Sequence, residues 1–383
     1  MRIAMLVRAF SKSGGLELYT YHLVNGLLSR GHSVVVVCEE DDTGLTHPRL
    51  TVQKFTPSAR GSRKSARLLH YLEASSAAIK AAGSFDIIHS QHLPSTLANV
   101  VTFHNHTASR LIAVGYGWER LLTRAKLALV KAYRLRDSFD RMLCLSASAL
   151  IFPSKICLED FSKTYSISTT NSRATCAVAY PGATIGETEE VAAAIPVAAE
   201  SDGFNFLFVG KGFRKKGLDV LLQACAILKS RGKRCHLFIA GLKKKTVDEV
   251  RLTLMGLNDR VTYLGFCRDM QAVYARASAI VLPSRIEPFG MAPLQGAAAG
   301  LVPIVSRVCG AAEVLDDGVN ALIVQNHLNP VELADQMQRL IDDRQLTKNL
   351  SAAARSCAKT ITWDATVQST IDAYNSALSI IKS

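Results

Sequence analysis

Short apolar runs and helical periods alternate along almost the whole chain. Residues 3–7 form an unbroken apolar run. Residues 16–28 repeat at helical spacing, with Leu16, Tyr19, Leu23 and Leu27 on one side. Residues 33–38 are β-branched and apolar again, so the first forty residues predict a strand–helix–strand unit with Gly14-Gly15 ahead of the helix. Runs at 87–89, 99–103 and 149–151 predict further buried strands. A helix through Phe161 follows, and 178–182 reads as a last strand and turn. The rhythm restarts with a strand at 204–209 and a helix at 218–228. Strands at 236–240 and 261–263, a short helix at 270–277 and strands at 279–282, 302–306 and 321–324 come next. From Pro330 onward the period is helical, ending in an amphipathic stretch at 367–381. Buried strands alternating with helices predict an α/β chain built on parallel sheets.

The rhythm breaks once. Residues 187–202 are rich in Ala and Glu, contain Pro196 and lack a clean period, as a hinge or linker would. A chain of 383 residues is long for one core. Two domains are expected: 1–183 together with a crossover helix at 364–383, a linker at 184–202, and 203–363.

Composition is that of an ordinary globular protein, but the formal charge of +13 calls for an anionic partner such as phosphate, a nucleotide, nucleic acid or a membrane surface. No apolar run reaches the ~18 residues that span a bilayer, and the first residues read as a strand, not a signal segment. Nine scattered cysteines without a CxxC pair predict reduced thiols, with no zinc site and a cytoplasmic setting. His89, His92, His104 and His106 cluster in sequence, but no carboxylate or cysteine completes a ligand set, so no metal is expected.

Two segments concentrate the charge. Arg60, Arg63, Lys64 and Arg67 mark an exposed basic loop or helix start. In the largely helical stretch 110–141, Arg110, Arg120, Arg124, Lys126, Lys131, Arg134, Arg136 and Arg141 face only Glu119, Asp137 and Asp140. Leu121, Leu122, Leu127, Leu129 and Val130, with Tyr116, Trp118 and Tyr133, add apolar and aromatic surface. That pattern fits an anionic membrane face, an ordinary solvated helix face, or a site for an acidic acceptor.

The chemistry is carried by two loops. After the strand at 204–209 come Gly210, Lys211, Gly212, Phe213, Arg214, Lys215, Lys216 and Gly217, four cations between glycines ahead of a helix. Backbone donors with point charges and an Arg fork suit a diphosphate. After the strand at 279–282 come Glu287, Pro288, Phe289 and Gly290, then Pro293 in the first turn of a helix that Gly300 ends. A carboxylate is thereby placed at a strand's carboxyl end beside a helix start, where open parallel sheets bind ligands. The Gly14-Gly15 pair fits either close backbone approach to a ligand or a plain tight turn.

The stretch 281–300, with Glu287 and, eight positions on, Gln295, resembles the signature of retaining GT-B glycosyltransferases with a Glu-x7-Glu motif. This is the group that includes sucrose synthases, mannosyltransferases and lipopolysaccharide core glucosyltransferases. The resemblance covers nearly the whole chain and is strongest from Phe204 to Val324. It implies two Rossmann-like parallel-sheet domains facing a central cleft. Gly14, Gly15 and Glu17 would line that cleft beneath the donor. Gly210 and Lys216, with Arg214 or Lys215, would neutralise the leaving diphosphate.

Glu287 and the N–H groups around Phe289, Gly290 and Met291 would bind sugar hydroxyls, and His104, preferred over His106, would reach the transferred sugar. Gln295 stands where the family has a second glutamate on the ribose; it keeps the length and one acceptor but loses the charge, which predicts weaker ribose binding. The implied reaction is metal-independent transfer of a hexose from a nucleotide-diphosphate sugar, UDP-sugar favoured, with retained configuration. The nucleotide sugar is a substrate, and no cofactor is expected. The acceptor would be a glycan or glycolipid such as lipopolysaccharide core, reached at the inner face of the plasma membrane through 110–141. Two rivals stay open: a polyanion or nucleic-acid-binding protein, against which stands the lack of any nucleic-acid module, and a GT-B nucleotide-sugar epimerase or phosphorylase.

Overall fold

Every strand of the two main sheets runs parallel to its neighbours, in a computed structural model that describes residues 1–59, 61–114, 118–167, 174–183 and 203–382. The chain divides into two units, Met1–Pro181 with Trp363–Ser383, and Gly182–Thr362. The stretch expected as a linker, 184–202, lies outside the described residues, as do Arg60, Tyr116 and the side chain of Glu119.

In the first unit seven strands lie in the order Leu50–Lys54, Ser33–Cys38, Arg2–Leu6, Ile87–Ser90, Val100–Thr102, Ala149–Phe152 and Thr175–Val178. The central strands read as continuous apolar runs because helices cover both faces, and Ala149–Phe152 is buried throughout. Phe103, Phe152 and Phe161 meet in one buried aromatic cluster, the first two stacked and Phe161 tilted against both. The sequence was least legible at the edges. The last strand is Thr175–Val178, not 178–182, and its four residues are only half-buried, so no apolar run announces it. The other edge strand, Leu50–Lys54, likewise lacks an apolar run. The stretch 110–141 is broken into Ala108–Ala113, Trp118–Leu129 and Lys131–Ser146.

The second unit holds six strands in the order Val261–Gly265, Cys235–Ala240, Phe204–Val209, Ala279–Leu282, Val302–Ser306 and Leu322–Val324. The helix Leu218–Ser230 buries Leu218, Leu221, Leu222, Cys225 and Leu228, one stripe at helical spacing. In both sheets the first strand of the unit sits inside, flanked by the second and the fourth long strand. That is the doubly wound order, and its reversal point lies between Arg2–Leu6 and Ile87–Ser90 in one unit and between Phe204–Val209 and Ala279–Leu282 in the other.

Residues Trp363–Lys382 form one helix that packs on the first unit. Its buried stripe is Trp363, Thr366, Val367, Thr370, Ala373, Tyr374 and Ala377. Val367 lies against Gly26, and the Thr366 hydroxyl donates to the Tyr180 carbonyl at 2.6 Å.

Candidate functional site

The reversal point of the second sheet brings two loops together. The loop after Phe204–Val209 delivers Lys216, and the loop after Ala279–Leu282 delivers Glu287. Lys216 Nζ and Glu287 Oε2 are 2.9 Å apart, with about a fifth or less of each side chain exposed. Burial pulls the Lys216 ammonium down, but the Glu287 charge and hydrogen bond outweigh it, so the lysine stays cationic and is held more firmly so than in water. The backbone ties the loops as well, since Arg285 N–H donates to the Lys215 carbonyl at 3.0 Å.

The Glu287 turn is clamped from its carbonyl side. Gly310 N–H donates to Glu287 O at 3.1 Å, while Ala311 N–H at 2.6 Å and Cys309 Sγ at 3.1 Å reach Phe289 O. Phe289 is buried at 3 % exposure, so its ring is a wedge in the core and not a surface contact. Gly290 has φ of 90° at the cap of the helix Met291–Ala298, and a Cβ there would stand 2.8 Å from Cys309 Sγ and 3.1 Å from Glu287 Cγ. Only glycine fits. The helix Met291–Ala298 starts directly after this glycine, so its first N–H groups have no partner within the helix.

Arg214 and Lys215 are exposed on the same loop, and Gly210 precedes it. Gln295 is half-buried and its Oε1 accepts from the Tyr274 hydroxyl at 3.2 Å. That contact leaves no trace in the sequence, and it means Gln295's acceptor oxygen is shared. In the first unit Gly14 caps the helix Gly15–Ser29, and Glu17 turns back beside it, 3.9 Å from Arg8 Nη2.

The four histidines separate by environment. His106 is 3 % exposed, with Nδ1 2.9 Å from Asp160 Oδ2, in a network that also takes the Thr107 N–H and hydroxyl. That is a structural assignment. His92 holds Asp140 through Nε2 at 2.9 Å. His89 is fully buried between the Tyr374 hydroxyl and Thr102 Oγ1, each 2.7 Å away. His104 is half-buried just beyond the strand Val100–Thr102, its Nε2 2.7 Å from Gln91 Oε1 and its ring edge-on to Tyr19 at 4.9 Å. Burial, helped by His92 and His89, holds its imidazole well below the usual range, so it is neutral near pH 7.

His89 gives a pH prediction. Burial pushes its imidazole down to about 3. Unfolding therefore takes up a proton between about pH 6.5 and pH 3, and stability falls as pH falls through that window, by about 1.4 kcal/mol per unit. At pH 5 roughly 2 kcal/mol present at pH 7 is gone. Urea titrations at both values should show it, and His89→Gln should flatten the slope; an unchanged slope in the variant would refute the assignment.

Among the described residues no group of three or more His, Cys, Asp or Glu could hold a metal ion. All nine cysteines are free thiols. No helix is long and apolar enough to cross a membrane, among the described residues. A surface depression of about 1010 Å³ lies elsewhere on the second unit, but its charges are spent on one another, Lys233 with Asp342 and Arg231 with Asp335, each pair at 2.7 Å.

Comparison with known proteins adds to this geometry. The family described as Glycosyl transferases group 1 matches residues 195–356, and Glycosyltransferase Family 4 matches 13–175. A D-inositol 3-phosphate glycosyltransferase of Paenarthrobacter aurescens is 28% identical over 186 residues, 46% of this chain and 45% of that protein. The chain thus matches a little under half the length of such curated relatives. Among solved structures, WaaG, a glycosyltransferase involved in lipopolysaccharide biosynthesis, superposes with TM-score 0.78 at 19% identity, over 97% of this chain and 98% of that one. Anabaena Alr3699/HepE in complex with UDP and glucose gives 0.67 at 17% identity, over 97% and 98%. At these identities the structural likeness speaks for the fold, which is GT-B.

Proposed function

We infer the function from one premise: this chain belongs to the group 1 glycosyltransferases of GT-B fold. The reading is transfer of a hexose from a nucleotide-diphosphate sugar, a UDP-sugar first, to a hydroxyl of a glycan or lipid-linked acceptor. The observation that carries it is the meeting of Lys216 and Glu287 at the reversal point of the second sheet. A cation there suits a diphosphate, and a carboxylate in the turn leading to the helix cap at Gly290 suits sugar hydroxyls.

In the proposed reaction the anomeric carbon–oxygen bond to the diphosphate breaks, and the bond to the acceptor oxygen forms on the same face. The acceptor proton passes to a phosphate oxygen. Lys216 stabilises charge growing on the leaving diphosphate without a metal ion, Glu287 orients the sugar, and neutral His104 accepts from a sugar hydroxyl. Gln295, already engaged by Tyr274, would bind ribose weakly. The UDP complexes and lipopolysaccharide role named for the structural neighbours support the choice of donor and acceptor class.

An anionic membrane surface is the partner proposed for the first unit. The helix Trp118–Leu129 exposes Trp118 and Leu121 at 67% and Leu129 at 79%, interleaved with exposed Arg120, Arg124 and Lys126. Such a face binds headgroups through charge and the acyl boundary through its apolar side.

The test is a thermal-shift screen of nucleotide sugars. Stabilisation of about 2.7 kcal/mol is expected at one hundred times the dissociation constant, followed by nucleoside-diphosphate release on adding acceptor. Flotation with anionic and neutral vesicles reads the surface. No stabilisation by any nucleotide sugar, with tight salt-sensitive binding of oligonucleotides instead, would replace this reading with the polyanion-binding one.

A further inference from the structure

We propose that Gln91 is a positioning residue for His104: its carbonyl holds the imidazole as the neutral tautomer with the proton on Nε2, which leaves the Nδ1 lone pair to accept a hydrogen bond. That the accepted hydrogen comes from a hydroxyl of the transferred sugar rests on the function proposed above; the tautomer does not.

Gln91 follows the strand Ile87–Ser90 at the reversal point of the first sheet and is fully buried. Its amide has two sides. Oε1 stands 2.7 Å from His104 Nε2. Nε2 stands 3.1 Å from Met5 Sδ and 3.3 Å from His89 Nε2. A thioether sulfur can only accept, so the NH₂ end must face Met5 and the carbonyl must face His104. Turning the amide over would set its oxygen against the sulfur with no proton between them. With the carbonyl at His104, the imidazole nitrogen there must be the donor.

The rest of the network agrees. His89 Nε2 accepts from Gln91 and from Thr102, and His89 Nδ1 then donates to the Tyr374 hydroxyl. The His104 backbone is fixed separately, because its N–H donates to His92 Nδ1 at 3.1 Å, and His92 Nε2 in turn faces Asp140. His104 Nδ1 has no hydrogen-bond partner among the described residues, although the residue is only half-buried. The groups facing the ring are Tyr19 from the helix Gly15–Ser29, His89 from its strand, and Gln91 and His92 from the loop after it. None is a carboxylate; Asp140 is one histidine removed. Nothing nearby favours a proton on both nitrogens, and a doubly protonated ring would have no lone pair to offer.

A glutamine rather than an acid at 91 is therefore part of the chemistry. It supplies an acceptor that orients the ring without adding the charge that would protonate it.

The test is nitrogen NMR of the full chain labelled in histidine, near pH 7, with His104→Gln to assign the signal. The expected spectrum shows His104 with Nε2 protonated and Nδ1 bare. A proton on Nδ1, or on both nitrogens, overturns the proposal, and this measurement on unaltered protein stands whatever the variants do and whether or not sugar is transferred. Gln91→Glu places a carboxylate against Nε2–H and should raise the imidazole by about one to three pH units. The imidazolium resonance should then appear at a correspondingly higher pH than in the parent when the sample is titrated downward, and transfer should gain a rising limb on the acid side. Gln91→Met should leave both tautomers populated, with donor KM raised more than kcat is lowered. A folded Gln91→Glu protein whose His104 signal and pH profile match the parent would also overturn it.

Discussion

Replacing Lys216 with alanine is expected to lower sugar transfer by about 10²–10³-fold in kcat/KM, the usual cost of removing one fixed group aimed at charge developing in the transition state. The loss has two parts. The leaving diphosphate loses its cation. Glu287, whose carboxylate now faces Lys216 at 2.9 Å, is left without it and repels the anionic donor. Glu287→Gln separates these parts: the lysine is released from its internal counter-ion, so binding of the nucleoside diphosphate alone should hold or tighten while transfer falls. Initial rates across donor concentration, with calorimetric titration of UDP, measure both. Lys216→Ala activity within threefold of the parent would remove this lysine from the reaction.

Gly217→Ala is expected to have the largest effect on folding, destabilising the second unit by about 3–5 kcal/mol. Gly217 caps the helix Leu218–Ser230 with φ of 73°, and a Cβ there would lie 1.9 Å from the Pro283 carbonyl oxygen and 2.7 Å from its carbon. Backbone meets backbone, and Pro283 follows a fully buried strand, so neither side can give way. Gly212→Ala, five residues before the cap, is the control: its Cβ would meet only side-chain atoms at 3.7 and 3.8 Å, and a change within about 1 kcal/mol is expected. Urea titration of the two variants checks this, and equal midpoints would show that the loop can rearrange around a methyl group.

The same loop shows what the chain discloses before it folds. The strand Ala279–Leu282 and the turn at Glu287 were legible because a buried parallel strand must be an apolar run and the residues beyond it are a proline, an acid and glycines. The Gly210–Gly217 loop was legible as a cluster of cations. Their meeting was not, because the two loops are seventy positions apart in sequence and become neighbours only through strand order. Resemblance joined them; local pattern alone left them separate. The Tyr274 hydroxyl on Gln295 and the Gln91 amide on His104 were invisible for a related reason, since each is a single tertiary hydrogen bond without any periodic trace. Only resemblance favours His104 over His106 in the sequence, and the buried Asp160 network gives His106 an occupation of its own. The half-buried edge strands Leu50–Lys54 and Thr175–Val178 escaped because their burial pattern carries no apolar run.

The packing of Trp363–Lys382 onto the first unit has a consequence for biosynthesis. A ribosome that has finished the first 181 residues must make all of 182–362 before this helix emerges, a delay of roughly ten to forty seconds at ~5–20 residues per second. Until then the surface awaiting Tyr374 and Ala377 is uncovered, and His89 lacks the hydroxyl it will bond. The second unit, though translated later, has its entire sequence in hand first. Nascent chains arrested just before Trp363 should therefore hold a protease-resistant second unit attached to a first unit that chaperones still recognise.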